Sequence, residues 1–358
     1  MDENKLSSYK KLQIYKDNAK TNSLPKDAYL QITETCNCKC IMCDAWQKVD
    51  PCLGDMKTLK EIIKVLGRKD FNWVTLWGGE PYLHPHILDI MKEVKDCGMK
   101  LQIITNGTLL KNDRTGAKLN ATAELADNVV FSIDAPTPES HDEIRGVKGT
   151  FAKAISNLKA LADFVRKNGK GPGIEIDTTI LRYNIGMLPA MVEFSRQFGD
   201  ILVDFDPAQI QGLGNSTDRT IIEIPDNQIK TVFSKLITQV TNGAHISSAA
   251  KLRLMKNYLL KKHINKPCSS LFKDLMIAPD GKVYFCWGWN KVIGNILDDG
   301  FKQQWEQAIK NNLAAIDGNM ERCKSCGFSH VRWPDLEFAD IITTINAFRK
   351  KYFEGITK

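Results

Sequence analysis

The feature that most limits how this chain can fold is the regular alternation, from Ala28 to about Asp206, of short apolar and β-branched runs with longer segments of helical period. The strand-like runs are Tyr29 to Thr33, Trp73 to Trp77, Leu101 to Thr105, Val129 to Asp134, Ile174 to Ile180 and Leu202 to Asp206. Between them, Leu59, Ile62, Ile63 and Leu66 recur at i, i+3, i+4 and i+7. Ile87, Ile90, Met91 and Val94 repeat the pattern up to Gly98, and Phe151, Ile155, Leu158 and Ala162 carry another up to Gly169. Parallel strands need crossover connections, so repeated strand-then-helix units predict a parallel sheet covered by helices. Six units are too few for a complete eight-fold barrel, and the expected fold is α/β, an incomplete (β/α)6 barrel.

Sheets of this kind place their chemistry on the loops that leave the C-terminal ends of the strands. The first such loop, Thr35-Cys36-Asn37-Cys38-Lys39-Cys40-Ile41-Met42-Cys43-Asp44, holds four of the ten cysteines. Cys36, Cys40 and Cys43 are spaced C-x3-C-x2-C. Three thiolates on one tight loop can hold three corners of an iron-sulfur cube and leave the fourth iron without a protein ligand. Close-set cysteines also make zinc sites and disulfides, but a structural zinc site asks for four ligands. The spare thiol, Cys38, lies too near Cys36 and Cys40 in sequence to converge easily with them on one ion.

This pattern resembles the signature of the radical S-adenosylmethionine (SAM) enzymes, C-x3-C-x-aromatic-C after the first strand of a partial (β/α)6 TIM-like barrel, and further matches extend over nearly the whole chain. Met42 stands where the family has an aromatic residue packed on the adenine ring. The second strand runs into Gly78-Gly79-Glu80-Pro81, which matches the family's motif for the amino group of the cofactor's methionine part. Two glycines there let a ligand approach the backbone closely. Thr105-Asn106-Gly107-Thr108 is a turn by composition, and the resemblance implies that Asn106 lines the cofactor pocket. The resemblance likewise implies that Ser132 and Arg145 approach the cofactor's ribose and carboxylate; a capping or salt-bridged arginine is the ordinary alternative for Arg145. Asp204, Asp206 and Gln209, at the end of the sixth strand, put acceptors at a substrate position. Gln211 to Arg219 reads as a long loop, able to close over a substrate or simply to connect.

Beyond a helix with the apolar face Ile229, Val232, Phe233, Leu236, Ile237 and Val240, a second cysteine group begins: Cys268, Cys286, Cys323 and Cys326. Leu275 to Ala278 and Lys282 to Phe285 flank Pro279-Asp280-Gly281, which predicts a hairpin. The helical stretch Phe301 to Ile309 then returns the chain. Four thiolates close either a second cluster or a zinc site. The spacing C-x12-G-x4-C followed by C-x2-C resembles the SPASM/twitch extension of radical SAM enzymes, which implies one auxiliary [4Fe-4S] cluster in the shorter twitch form. The expected domains are an N-terminal extension (1–26), the barrel (27–243) and a small hairpin-plus-helix auxiliary cluster domain (244–358). Of the remaining thiols, Cys97 continues the apolar face of Ile90 and Val94, whereas Cys38 and Cys52 are either incidental or hydrogen-atom donors to a substrate radical.

At 358 residues with a net charge of +7, the chain reads as an ordinary, mildly basic globular protein. The excess reads first as dispersed surface lysines in a Lys-rich, Asn-rich composition, and otherwise as a bias towards an acidic substrate or partner. No run nears the roughly 20 apolar residues of a membrane span, no secretion signal is legible, and nothing marks a nucleic-acid partner. A cytoplasmic setting is therefore expected, in which ten cysteines mean metal or redox chemistry rather than disulfides.

The resemblance implies an oxidoreductase. It would cleave SAM reductively at a [4Fe-4S] cluster to a 5'-deoxyadenosyl radical, abstract a substrate hydrogen, and move electrons through the auxiliary cluster. A flavodoxin or ferredoxin would donate the electrons. Its substrate would be a peptide precursor, to be oxidised, cross-linked or epimerised; a sugar or aminocyclitol dehydrogenase or epimerase is the second expectation, and a non-catalytic zinc-binding module a remote third.

Overall fold

Six strands, β1 (Asp27–Thr33), β2 (Trp73–Gly78), β3 (Lys100–Thr105), β4 (Asn128–Ser132), β5 (Gly173–Ile180) and β6 (Leu202–Pro207), lie side by side in chain order, every neighbouring pair parallel. The computed structural model describes residues 24–111, 115–199, 201–209, 218–261, 274–286 and 288–311. The crossovers are α1 (Met56–Arg68), α2 (Ile87–Asp96), α3 (Ala117–Leu125), the pair α4 (Pro138–Arg145) and α5 (Thr150–Asn168), and α6 (Leu188–Ser195). Then come α7 (Asp226–Thr241), α8 (Ala249–Lys261), β7 (Asp274–Ile277), β8 (Lys282–Cys286), β9 (Trp289–Asn295) and α9 (Phe301–Asn311). This is the incomplete α/β barrel expected from the alternation, with β6 at the end of the row and its Val203 bridged in parallel to Ile246.

The strands alternate as their pleat requires. On β5, Ile176, Thr178 and Ile180 turn outward to the helices and are buried, while Glu175, Asp177 and Thr179 face the other way; β6 likewise buries Val203 and Phe205 and turns Asp204 and Asp206 inward. The main apolar core therefore lies between the sheet's outer face and the helices. α1 shows how local sequence sets this. Asp55 caps it by accepting from the N–H groups of Lys57 (3.1 Å) and Thr58 (3.0 Å), and the helix buries Leu59, Ile62, Ile63 and Leu66. Each such side chain contributes roughly 1.5–3 kcal/mol when withdrawn from water. Cys97 packs partly buried against the same core.

The sheet continues past the barrel. β7 pairs in parallel with β1, and β8 and β9 follow antiparallel, so nine strands form one sheet in the order β6-β5-β4-β3-β2-β1-β7-β8-β9. The hairpin turns at Gly281, whose N–H donates to Ala278 O at 3.0 Å. β9 has no counterpart in the expected hairpin plus helix. Its residues are half-buried or exposed, so no apolar alternation marks it, and pairing with β8 is what makes it a strand. Cys268, Cys323, Cys326 and most of the Gln211 to Arg219 loop lie outside the described residues.

Candidate active site at the strand ends

The cysteine loop leaves β1 and is seated on three neighbours through its own backbone and Asn37. At its start, Thr33 O and Thr35 O accept from the N–H groups of Gly79 (2.9 Å) and Glu80 (2.8 Å). The approach is so close that a Cβ on Gly78 would stand 2.0 Å from Thr33 O, and one on Gly79 2.1 Å from Thr35 O. Further on, Lys39 N and Ile41 N donate to Arg145 O (2.9 Å) and Ile144 O (3.0 Å) at the end of α4. Gly146, with φ 67°, leaves room there, since a Cβ would meet Lys39 O at 2.2 Å. The third neighbour is the β3 exit. Asn37 Nδ2 donates to Thr108 Oγ1 (2.9 Å), and Asn37 Oδ1 accepts from Asn106 Nδ2 (2.8 Å).

So held, the loop forms one wall of a cavity of about 310 Å3. Cys36, Cys38, Cys40, Met42 and Cys43 line it, as do Gly78, Gly79, Asn106, Ser132 and Arg145 from the following strand ends. Glu80 and Pro81 do not. Pro81 opens a buried 3-10 turn, and Glu80 is a fully buried hub. Its carboxylate accepts from Tyr82 N (3.1 Å), Thr105 Oγ1 (2.8 Å) and Asn106 N (2.8 Å), binding the β2 and β3 exits together. Burial pushes its pKa up to about 6, against the pull of those donors. Cys52 is exposed on the segment behind the loop, its N–H donating to the Glu34 carboxylate at 2.9 Å. Cys38, by contrast, is buried within the loop.

The electrostatics favour thiolates at two of the signature positions. Hydrogen bonding from Cys38 holds the thiol of Cys36 below its ordinary value. The same donor, helped by the charge of Arg145, brings Cys40 down to about 7 despite its burial. Cys38, shared between Cys36 and Cys40, is pushed far up. Burial raises Cys43 to about 11; a bound metal would lower it outright. Arg145 Nη1 reaches Cys40 Sγ at 3.7 Å while its Nε pairs with Asp134 Oδ2 at 2.7 Å. Burial pushes the Asp134 carboxyl up, against the opposing charge of Arg145 and the N–H of Thr179.

These residues fit an iron-sulfur cube. All seven cysteines among the described residues are free thiols, and the three of the signature share one cavity wall. Among the described residues no three metal-binding groups gather round a single point. A cube does not ask for that, because each thiolate takes a different iron. At the auxiliary site only Cys286 is described, half-buried at the end of β8 and paired in register with Trp289.

The alternation of motifs named the loops but not everything inside the barrel. Asp206 and Gln209, expected as acceptors at a substrate position, line the cavity, and Asp177 and Thr179, which no motif named, line it with them. The signal of Asp177 and Thr179 was present as the polar half of the period-two pattern on β5. The buried Asp134–Arg145 pair, 11 residues apart in sequence, left no such periodic trace.

Comparison with known proteins agrees with this geometry. The radical SAM superfamily matches residues 30–181, and the SPASM iron-sulfur cluster-binding domain matches residues 268–327, which spans all four cysteines of the second group. The chain is 24% identical over 330 residues to the AdoMet-dependent heme synthase of Methanosarcina barkeri, covering 87% of this chain and 91% of that protein. It is 24% identical over 295 residues to the antilisterial bacteriocin subtilosin biosynthesis protein AlbA of Bacillus subtilis, covering 81% of this chain and 61% of that protein. Among solved structures, Streptococcus suis SuiB bound to precursor peptide SuiA shares the fold with a TM-score of 0.66 at 16% identity, covering 90% of this chain and 75% of SuiB. With both domain matches falling on the cysteine groups, and the barrel's first strand ends meeting at one cavity, this chain belongs to the radical SAM superfamily and is an enzyme with a C-terminal SPASM-type iron-sulfur domain.

Proposed function

We propose that this enzyme binds a [4Fe-4S] cluster through Cys36, Cys40 and Cys43, cleaves SAM reductively and modifies a peptide. The observation that carries the reading is the shared wall: the three thiols and the Gly78-Gly79 bend line one cavity. When bound, the reduced cluster supplies the electron that breaks a carbon-sulfur bond of SAM and so gives a radical able to take hydrogen from an unactivated C–H bond. The chain's own residues bind and orient. The bend at Gly78 and Gly79 admits an ammonium group close to the backbone, Met42 supplies an apolar surface, and Ser132 offers a hydroxyl. Arg145 favours the thiolate of Cys40 rather than binding a carboxylate alone, because Asp134 already occupies one side of its guanidinium. The peptide substrate is supported by the likeness to the subtilosin biosynthesis protein and by the fold shared with SuiB. A second, auxiliary cluster on Cys268, Cys286, Cys323 and Cys326 would pass electrons onward, with a flavodoxin or ferredoxin as the external donor.

A second reading, an enzyme of tetrapyrrole synthesis, is favoured by the match that covers 91% of a heme synthase. The two are separated by what stimulates turnover. Anaerobically reconstituted protein should carry about eight irons per chain, two cubes' worth, and with dithionite should convert SAM to 5'-deoxyadenosine and methionine. Replacing Cys36, Cys40 and Cys43 by alanine should leave about half the iron and abolish that cleavage; cleavage that survives in the triple variant refutes the site. Co-expression with short open reading frames from the same locus should then yield a peptide of altered mass. Stimulation by a tetrapyrrole and not by any peptide would select the second reading.

A further inference from the structure

The inner faces of β5 and β6 carry an unusual load of charge. In the parallel register Asp177 stands opposite Asp204, and Thr179 opposite Asp206, with Glu175 one step below on the same face. Four carboxyl groups thus share one side of the barrel interior. The cation that faces them is Lys251 of α8, itself buried, which pairs with Asp204 and lies 3.7 Å from Asp206 Oδ1. Ser247 Oγ completes the shell of Asp204. Arg145, which also lines the cavity, is engaged with Asp134 and Cys40, and Asp134 in turn accepts from Thr179 N on β5.

Asp177 is left out of this neutralisation. Its Oδ1 is buried and has no hydrogen-bond partner among the described residues, and its side chain lines the cavity beside Asp206 and Gln209. Burial first, then the charges of Asp206, Asp204 and Glu175, push its carboxyl well above the usual carboxylate range, and Lys251 offsets this only in part. A buried carboxyl oxygen that has no donor, in a group whose charge is only partly offset, is costly to keep. At the wall of a substrate-sized cavity it is a position waiting for a positive donor. The protein's overall positive charge therefore does not extend to this wall.

We propose that Asp177 anchors a cationic nitrogen of the substrate, an ammonium or guanidinium group, which completes the charge balance that Lys251 leaves unfinished. The proposal rests on the reading of this enzyme as a peptide modifier and narrows its substrate to one presenting a lysine or arginine side chain to the β5–β6 wall. A free amino sugar carries the same chemistry, so it is included as a separate arm of the test.

The experiment uses the full, anaerobically reconstituted protein with SAM bound, and measures binding by saturation-transfer NMR and calorimetry. The probes are acetyl-Gly-Lys-Gly-amide, its arginine counterpart, the same peptide acetylated on the lysine Nε, and methyl glucosaminide. A charge-assisted hydrogen bond at a desolvated carboxylate predicts that the lysine or arginine peptide binds at least about tenfold more tightly than the acetylated one. Asp177→Asn should remove that preference, and Asp177→Glu should restore part of it. Equal binding of charged and acetylated peptides to the unmodified protein overturns the proposal without reference to any variant. So does an Asp177→Asn effect on SAM affinity alone, or no binding of any probe. Asp177-dependent binding of methyl glucosaminide without the peptides keeps the cation anchor but overturns the peptide source. Failure of the underlying reading shows separately, as absence of 5'-deoxyadenosine formation whatever the probes do.

Discussion

Arg145 Nε lies 2.7 Å from Asp134 Oδ2 in a pair withdrawn from solvent, and the same guanidinium reaches Cys40 Sγ at 3.7 Å. One arginine thus links the end of α4, the exit of β4 and the cysteine loop. Because each partner is buried, removing one strands the other's charge, and such losses cost about 3–5 kcal/mol. Asp134→Ala is expected to destabilise the metal-free protein by that amount in urea denaturation. Arg145→Ala should do likewise and in addition raise the pH at which Cys40 reacts with iodoacetamide, since the charge that favours its thiolate is gone.

The backbone contact between the loop and the β2 exit predicts an all-or-none effect on the first metal site. Gly79→Ala would put a methyl group 2.1 Å from Thr35 O, and that carbonyl cannot yield without dragging Cys36 with it. Reconstituted Gly79→Ala protein should therefore retain about half the iron of the unmodified enzyme, the auxiliary share. The metal-free fold should be preserved in its far-ultraviolet circular dichroism. Full iron content in this variant would show that the loop tolerates displacement.

His141 is buried against Phe151, its Nδ1 facing the N–H of Asp134 at 3.2 Å. Burial, followed by the charge of Arg145, lowers its pKa from 6.5 to about 3. The unfolded chain consequently binds a proton that the folded one refuses between those values, so stability should be complete above pH 6.5 and fall steadily as pH drops towards 3. His141→Phe, which fills the same space without a titrating nitrogen, should flatten that acid limb in a series of thermal melts.

The two spare thiols separate by exposure. In metal-free, reduced protein Cys52 should be alkylated at least about ten times faster than Cys38, which is buried and shares its hydrogen with Cys36 and Cys40. Peptide mass mapping after timed iodoacetamide treatment measures this directly. Comparable rates would mean that the loop opens readily in the absence of metal.

Which segments become strands and helices was legible from the chain alone, because burying one face of a helix or strand imposes a period that the side chains must obey. Leu59, Ile62, Ile63 and Leu66, and the runs that became β1 to β6, show that constraint in full. The signature cysteines and Gly78-Gly79 were legible for a related reason: a loop that must hold three thiols, or let two backbones touch, admits few residue types at fixed spacing. Tertiary structure alone decided what those loops meet. Glu80 reads as part of a ligand motif, yet three donors from the β2 and β3 exits claim its carboxylate. β9 exists because β8 offers it hydrogen bonds, and Asp177 is short of a counter-charge because Lys251, 74 residues away, reaches Asp204 and Asp206 instead. Periodicity records only which face of a segment is withdrawn from water. Pairing of charges and donors between distant segments depends on distances that the fold creates, and leaves no periodic mark in the sequence.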